Sequence, residues 1–176
     1  MISSLACSTP SGSSFISLSS ESLRTPDLLA QTGYRYTLNW CHDDQPTRLR
    51  TADGRGLWAV PYPQELNDIP MIIARQMDAK DFAQMIIDQF DEMLAQSQQQ
   101  ALVMGIALHP YLMGQPYRLR HLRRALEHIA AARNSGRVWS TTPGAICRHV
   151  DALAAADPKG WASSPSTLDP DLGLIE

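Results

Sequence analysis

The sequence predicts an α/β fold in which parallel strands are joined by crossover helices. Short apolar or aromatic segments alternate along the chain with amphipathic stretches in the order β, β, α, β, α, β, α. This alternation is typical of parallel pairing, because a helix returns the chain to the end of the sheet from which the next strand starts. The pattern alone does not separate an open doubly wound sheet from a piece of a (β/α) barrel.

Four segments are predicted to be strands. Residues 34–40 are rich in aromatic and β-branched side chains, and the apolar run 101–108 has the length of a buried strand. Residues 57–62 are a weaker candidate because Pro61 lacks the N–H that a central strand uses. Residues 138–140 form a short fourth candidate.

Three segments are predicted to be helices. Apolar residues recur at helical spacing between an N-terminal cap at Asp78 and about Gln98. A second helix carries the apolar repeat of 119–129. A third is expected to open with Thr142 as its N-cap and Pro143 as its first residue.

Length and composition predict one ordered domain with flanking irregular segments. The chain has 176 residues and is 44% apolar, which suffices for one real core. Residues 1–24 are rich in serine and are predicted to form an irregular or disordered leader. The ordered body is expected over 25–155, and 156–176, with several prolines and glycines, is predicted to be a flexible tail.

Charge, hydropathy and cysteine content exclude several classes of protein. The formal net charge is −3, whereas a nucleic-acid-binding domain usually carries a basic surface. No apolar run reaches the length of a membrane span, and the first residues lack the pattern of a signal peptide. Three cysteines without metal-type spacing fit reduced thiols. We therefore expect a cytoplasmic protein without nucleic-acid or membrane partners.

Polar and titratable residues follow the predicted strands. In a barrel, the residues just past the C-terminal ends of the strands form the catalytic face. Four strand ends carry such groups here, which indicates a candidate active-site face: His42, Asp43 and Asp44; Glu65, Asn67 and Asp68; His109; and Thr141 and Thr142.

His109 is the sharpest candidate for catalysis. It ends the apolar run 101–108 and precedes Pro110, which fixes the turn. A histidine exchanges protons near neutral pH, so one at this position can donate a proton to a leaving amine. The alternative is a strand-end histidine that bonds a backbone carbonyl.

The other polar segments have structural alternatives too. Asp43 and Asp44 can bind a substrate amide or orient a base, but two aspartates shortly before Pro46 also suit a turn. The same two readings apply to 65–68. The basic run 118–124 favours a solvated helix face or an oligomer contact over phosphate binding.

Several motifs in order resemble the polysaccharide deacetylase (NodB-homology) family, above all its allantoinase-like branch. The resemblance covers roughly Thr25 to Val150. Its motifs are Thr25-Pro26-Asp27-Leu28-Leu29, Gly33-Tyr34-Arg35-Tyr36, Asp43-Asp44-Gln45-Pro46, Val60-Pro61-Tyr62-Pro63, Glu65-Leu66-Asn67-Asp68-Ile69-Pro70, and Leu108-His109-Pro110-Tyr111 followed by Gly114-Gln115-Pro116 and Arg118.

The resemblance implies the C-terminal portion of a distorted (β/α) barrel, with parallel strands, that hydrolyses C–N bonds of amides. His109 matches the late strand-end histidine of the family, the expected general acid. Trp40 and Ile106 fall where the family lines its substrate pocket, and Asp43, Asp44, Glu65, Asn67 and Asp68 are the other expected substrate contacts. The implied substrates are small ureides or N-acetylated sugars, and a homo-oligomer is expected.

The sequence also departs from the family. It contains no Thr-Phe-Asp-Asp, His-x-x-x-His or Arg-x-Pro-x-Gly motif, in which the family keeps its divalent-metal ligands, such as those for zinc, and its catalytic base. No metal or other cofactor is therefore expected in this chain. We expect a truncated protein that is inactive alone. The alternative is a non-catalytic scaffold or interaction module derived from the same fold.

Overall fold

A small mixed sheet organises the N-terminal part of the fold. The computed structural model describes residues 14–15, 21–133 and 136–157. Its sheet has four short strands in the spatial order β1-β2-β4-β3. They are β1 (Ser14–Phe15), β2 (Tyr36–Thr37), β3 (Thr47–Leu49) and β4 (Leu57–Ala59). β1 lies within the segment predicted as an irregular leader, whose other residues up to 20 are outside the described part, as is 158–176 of the predicted tail.

The central pairing is parallel, and the pairing of β3 is not. β2 pairs in parallel with β1 and with β4, with Tyr36 opposite Trp58. β3 runs antiparallel to β4, so the prediction of parallel strands alone is wrong for this edge. The connection 50–56 is short, and a short turn can join only antiparallel neighbours. Gly54 and Gly56 both have φ near +73°, which an L side chain rarely adopts.

All three predicted helices are present. They are α2 (Ala79–Gln96), α4 (Pro116–Arg133) and α5 (Pro143–Ala156). Asp78 is the N-cap of α2, and the Thr142 hydroxyl caps α5 by accepting the N–H of Ala145 at 3.3 Å. No helix in the described ranges has both the length and the apolar character needed to cross a bilayer.

Three shorter helical elements were not predicted from the pattern. They are α1 (Thr25–Gln31), a π-helical turn (Ile69–Ala74) and α3 (Pro110–Met113). Each has a proline in its first two positions, where the missing N–H has no intrahelical partner to lose. Each is also too short for an apolar periodicity to stand out.

The apolar run 101–108 is extended but forms only one bridge, a parallel one between Ala107 and Asn67. It is also joined to the loop after β2, because the Val103 N–H donates to the Asp44 carbonyl at 2.8 Å and the Gln45 side-chain amide donates to the Ala101 carbonyl at 3.1 Å. The strand predicted at 138–140 is likewise irregular. Both expected strands lack a full ladder partner among the described residues, so the sheet does not extend to them.

The main apolar cluster lies between α2, α4 and the π-helical turn. Phe82, Ala83 and Ile86 of α2 have no exposed surface and pack against Leu122 and Ala125 of α4. Burial of one such large apolar side chain contributes about 1.5–3 kcal/mol. Leu108, just before His109, and Met113, shortly after it, also pack in this cluster, so the backbone is held on both sides of His109.

A second cluster joins the sheet to α5. Tyr36, Trp58 and Val60 pack against Ile146 and Val150. Polar contacts reinforce this interface, because Asp151 of α5 accepts the indole N–H of Trp58 at 2.6 Å and ion-pairs with Arg35 and Arg48. The helix is therefore held to the sheet by both apolar and charged groups.

Candidate active site

The centre of the candidate site is a hydrogen-bonded pair of side chains, Asp68 and His109. Oδ1 of Asp68 lies 2.6 Å from Nδ1 of His109, and Oδ2 accepts the backbone N–H of His109 at 2.7 Å. Asp68 itself is completely buried, whereas the His109 side chain is 28% exposed. A buried carboxylate thus holds a histidine that reaches the surface.

Parallel bridging explains why these two residues meet. Asn67 is bridged in parallel to Ala107, and the Asp68 N–H donates to the Ala107 carbonyl at 3.2 Å. Each site residue therefore lies just past the bridge, on its own segment. Pro110 then starts α3 with His109 as its N-cap, which ends the extended segment at the catalytic candidate.

The bond to Asp68 defines the chemistry available to the imidazole. A carboxylate at Nδ1 favours the tautomer or the cation in which Nδ1 carries a proton. Nε2 is then the ring nitrogen that exchanges a proton with a substrate. The ring of Tyr111 stands edge-on to the imidazole with the centroids 5.8 Å apart. Tyr111 is 61% exposed and is a site neighbour that strand-end reasoning did not single out.

A strained loop follows β2 beside this region. His42 and Asp44 have positive φ angles of 49° and 61°, which non-glycine residues adopt infrequently. The centroids of the Trp40 and His42 rings are 6.0 Å apart, and the Trp40 carbonyl accepts the Tyr62 N–H at 2.9 Å. Non-glycine residues in this conformation occur more often at functional sites than elsewhere.

Three carboxylates interact near this loop. Burial raises the pKa of Asp44 above its ordinary value, and the charges of Asp43 and Glu65 raise it further. Partial burial lowers the pKa of His42, and the charge of Asp43 partly opposes that effect. Burial also raises the pKa of the Tyr62 hydroxyl, with a smaller contribution from the charge of Asp68. Tyr62 therefore lies within the electrostatic reach of the Asp68–His109 pair.

The structure gives the predicted site residues different environments. Asp68 and His109 are joined by a side-chain hydrogen bond, and the Trp40 ring lies beside the His42 ring. Asp68, one of the predicted substrate contacts, is buried, and both of its carboxylate oxygens bond His109. The Asn67 carboxamide oxygen accepts the N–H of Ile69, the first residue of the π-helical turn, at 3.2 Å, and Ile106 packs against the main apolar cluster. The predicted substrate contacts of the other residues stay predictions.

The donor set does not fit the divalent metal that the family resemblance implies. Across 21–133 and 136–157, no three His, Cys, Asp or Glu side chains are grouped so that they could hold a metal ion. Nδ1 of His109 already bonds Asp68.

Comparison with known proteins agrees with the motifs. No family model matches the chain. A curated protein of Schizosaccharomyces pombe whose name assigns it to the polysaccharide deacetylases is 32% identical over 105 residues, which are 58% of this chain and 32% of that protein. The resemblance to polysaccharide deacetylases is thus confirmed for the matched segment.

Two solved structures share the fold. The crystal structure of Puue allantoinase superposes with a TM-score of 0.63 and 28% identity, over 74% of this chain and 42% of that chain. A Pseudomonas aeruginosa PAO1 protein classed as a polysaccharide deacetylase gives a TM-score of 0.62 and 24% identity over the same shares, and shows the fold alone. The chain spans about a third of the length of the curated relative and about two fifths of these solved chains.

Proposed function

We propose that this chain carries the general-acid part of a polysaccharide deacetylase-type or allantoinase-like hydrolase site, which cleaves amide C–N bonds. The observation that carries the proposal is the bond between buried Asp68 and partly exposed His109. The comparisons support it, because the matched relatives are a polysaccharide deacetylase by name and an allantoinase. We also propose that the body is the C-terminal portion of a distorted (β/α) barrel.

The geometry suits proton donation to a leaving nitrogen. As the C–N bond breaks, Nε2 of His109 gives its proton to the departing amine, which then leaves as a neutral group. The Asp68 carboxylate keeps the ring oriented and stabilises the imidazolium before the transfer. A positioned general acid contributes typically about 10²- to 10⁴-fold in rate.

The proposed substrate is a small N-acetylated sugar or a ureide. Both kinds of substrate present amide N–H groups, which can donate hydrogen bonds to the carboxylates of Asp43, Asp44 and Glu65. Trp40 offers an exposed indole face for a sugar or a planar ureide, and Ile106 is assigned to the pocket wall.

A general acid alone leaves most of the barrier to hydrolysis in place, since attacking water still needs activation. Among the described residues, no second Asp–His pair lies next to His109. The other such pair, Asp91 and His128, lies on the exposed surface. We therefore propose that the purified chain is inactive on its own and acts with residues that activate water. Assays with allantoin and with acetylated chito-oligomers, with and without Zn²⁺, test this; turnover abolished by His109→Ala would contradict it.

A chimera tests the proposed chemistry directly. Residues 25–157 replace the matching part of the solved allantoinase, which supplies the rest of that protein's site. The chimera should hydrolyse allantoin, and His109→Ala should reduce turnover by about 10²- to 10⁴-fold. His128→Ala is the matched control, because His128 also lies 2.6 Å from an aspartate, Asp91, but on the exposed surface.

The outcomes distinguish a general-acid role for His109 from a non-catalytic scaffold. Equal turnover of the His109→Ala and His128→Ala chimeras would reject the general-acid role. A folded chimera that binds allantoin without converting it would favour the non-catalytic scaffold. Circular dichroism and thermal unfolding of each chimera establish that the comparison is between folded proteins.

A further inference from the structure

The first turn of α5 carries an unbonded backbone N–H at Gly144. Pro143, the first helical residue, has no N–H, and the carbonyl of the Thr142 cap accepts the N–H groups of Ala145 and Ile146 at 3.0 Å. The N–H of Gly144, between them, has no acceptor within 21–133 and 136–157. Such an N–H attracts anions, because the helix dipole gives this end of the helix a partial positive charge.

A buried tyrosine points at the same turn. Tyr36 of β2 is only 6% exposed, and its hydroxyl lies 3.4 Å from the position that a Cβ on Gly144 would occupy. In the described part of the chain, no group forms a hydrogen bond with this hydroxyl. The hydroxyl of a buried tyrosine usually has a partner. An unbonded one that faces the Gly144 turn therefore indicates a partner from outside the chain.

Arg148 brings a full positive charge to this space. It follows Gly144 by four residues on the same helix, so the two lie on one face. One terminal nitrogen of its guanidinium is 3.7 Å from the same Cβ position. Arg148 is exposed and forms no ion pair with any described residue. A backbone amide, a phenol and a guanidinium thus surround one small open space.

The charges on this side of α5 favour an anion. Burial raises the pKa of the Cys147 thiol to about 11, and the charge of Asp151 raises it further. The charges of Arg35, Arg48 and Arg148 act in the opposite direction, so three guanidiniums and one carboxylate lie near this thiol. The carboxylate of Asp151 is already paired with Arg35 and Arg48. The positive charge of Arg148 is therefore left for an external partner.

The number of donors indicates which anion fits. A phosphate has oxygens on several sides, so it can accept hydrogen bonds from the amide of Gly144, the phenol of Tyr36 and the guanidinium of Arg148 together. A carboxylate has only two oxygens to offer. The missing side chain of Gly144 leaves room for the ligand, since a methyl group there would lie between the phenol and the guanidinium.

We propose that Gly144, Tyr36 and Arg148 bind a phosphate group, either as the free ion or on a small phosphorylated metabolite. The site uses none of the residues of the proposed hydrolase chemistry. Its tests measure binding, so their outcome is independent of whether the Asp68–His109 pair transfers a proton.

Thermal unfolding of the full chain measures the binding, since a ligand of the folded state raises the midpoint as its concentration increases. The midpoint should rise with sodium phosphate and should rise less with sodium chloride at equal ionic strength. Acetate should have a smaller effect than phosphate. Glucose 6-phosphate distinguishes the two sources: tighter binding than phosphate indicates a phosphorylated metabolite, and weaker binding indicates the free ion.

Three variants test the three donors. Gly144→Ala fits the fold without a clash and places a better helix former in α5, so without phosphate it should be at least as stable as the wild type. Its midpoint should nevertheless stop responding to phosphate. Tyr36→Phe removes an unbonded hydroxyl and should weaken binding by about 2- to 10-fold, and Arg148→Gln by about 10- to 100-fold.

Arg123→Gln is the control for Arg148→Gln, because it makes the same change of charge at an exposed position of α4. It should leave the response to phosphate unchanged. A wild-type midpoint that responds equally to phosphate, acetate and chloride would overturn the proposal. So would a full response to phosphate in Gly144→Ala, or an equal loss of response in the Arg123 and Arg148 variants.

Discussion

Asp68 bonds His109 through both of its carboxylate oxygens, one to the ring and one to the backbone. Oδ1 lies 2.6 Å from Nδ1, and Oδ2 accepts the main-chain N–H at 2.7 Å. The same carboxylate thereby fixes where the residue sits and how its ring is turned. Because Asp68 is fully buried, these bonds are shielded from water and are stronger than they would be at the surface.

Asp68→Ala and Asp68→Asn should separate stability from catalysis. The alanine variant leaves the His109 N–H without its acceptor, so the free energy of unfolding should fall by about 1–3 kcal/mol. Asn keeps one acceptor and should cost less, yet in the chimera it should lower turnover by about 10²-fold or more, because it stabilises no imidazolium.

Urea unfolding and chimera kinetics measure the two effects. Asp78→Asn is the control, since the Asp78 side chain caps no N–H of α2. If Asp68→Asn retained full turnover, Asp68 would be a structural residue only.

Replacing Asp44 should stabilise the protein at neutral pH. The pKa of Asp44 is raised in the folded state by burial and by the charges of Asp43 and Glu65. Its ionised form therefore opposes folding at pH values above the raised folded-state pKa, and this penalty disappears as pH falls to the ordinary value of 3.8. Asp44→Asn removes the charge, and asparagine tolerates the positive φ of 61°.

The test is the pH dependence of unfolding by urea. The variant should be more stable than the wild type at pH 7 and equal to it near pH 3. Asp43→Asn should act in the same direction but less strongly, since it removes only one contribution to the raised pKa of Asp44. A loss of stability at pH 7 in Asp44→Asn would show that the carboxylate has a favourable partner.

Gly56→Ala should destabilise the fold more than Gly54→Ala. Both glycines have φ near +73°, so alanine costs roughly 1–2 kcal/mol at either position. A Cβ at Gly54 meets nothing within 4 Å, whereas one at Gly56 would lie 2.5 Å from Nε of Arg48. Arg48 cannot move freely, because it bonds the Arg55 carbonyl at 2.6 Å and pairs with Asp151.

Thermal unfolding of the two variants measures this difference. Gly54→Ala acts as the matched control, since it has the same backbone strain without the contact. Equal midpoints for the two variants would mean that Arg48 gives way at no cost and that its bonds to Arg55 and Asp151 add nothing to stability.

A double-mutant cycle should show that Asp151 and Trp58 are coupled. Trp58 is 1% exposed, and its indole N–H donates to Asp151 at 2.6 Å. Asp151→Ala leaves that N–H without its acceptor, a loss of about 1–3 kcal/mol. In a Trp58→Phe background the same change should cost less, because no indole N–H remains.

The coupling energy is obtained from urea unfolding of the four proteins, and about 0.5–3 kcal/mol is expected for residues in contact. Additive effects would show that Asp151 acts on its arginines, Arg35 and Arg48, rather than on the tryptophan.

Local chemistry made the helices predictable. Phe82 and Ile86 recur at helical spacing, and the Thr142-Pro143 pair marks a helix start by a mechanism that needs no tertiary contact. The resemblance to polysaccharide deacetylases was predictable from short motifs in a fixed order, and it was confirmed for the matched segment. These features depend on residues close in sequence.

Pairing of distant segments was less predictable. The run 101–108 has the composition of a strand, but a strand requires a neighbour, and only Ala107 is bridged. β3 was not predicted because Thr47–Leu49 has little apolar pattern. It forms a strand because the turn after it brings it alongside β4. A ladder depends on which backbone lies alongside, which composition does not encode.

The order of residues alone places His109 at the end of an apolar segment and acidic residues after the predicted strands 34–40 and 57–62. The bond from Asp68 to His109, 41 residues away, depends on the folded chain, in which the neighbouring Asn67 side chain instead accepts the Ile69 N–H. Asn67 is bridged to Ala107, whereas Asp68 already has a helical backbone as the N-cap of the π-helical turn, so these adjacent polar residues enter different environments. The parallel bridge between Asn67 and Ala107 brings the two segments together, and this long-range pairing makes Asp68 the partner of His109.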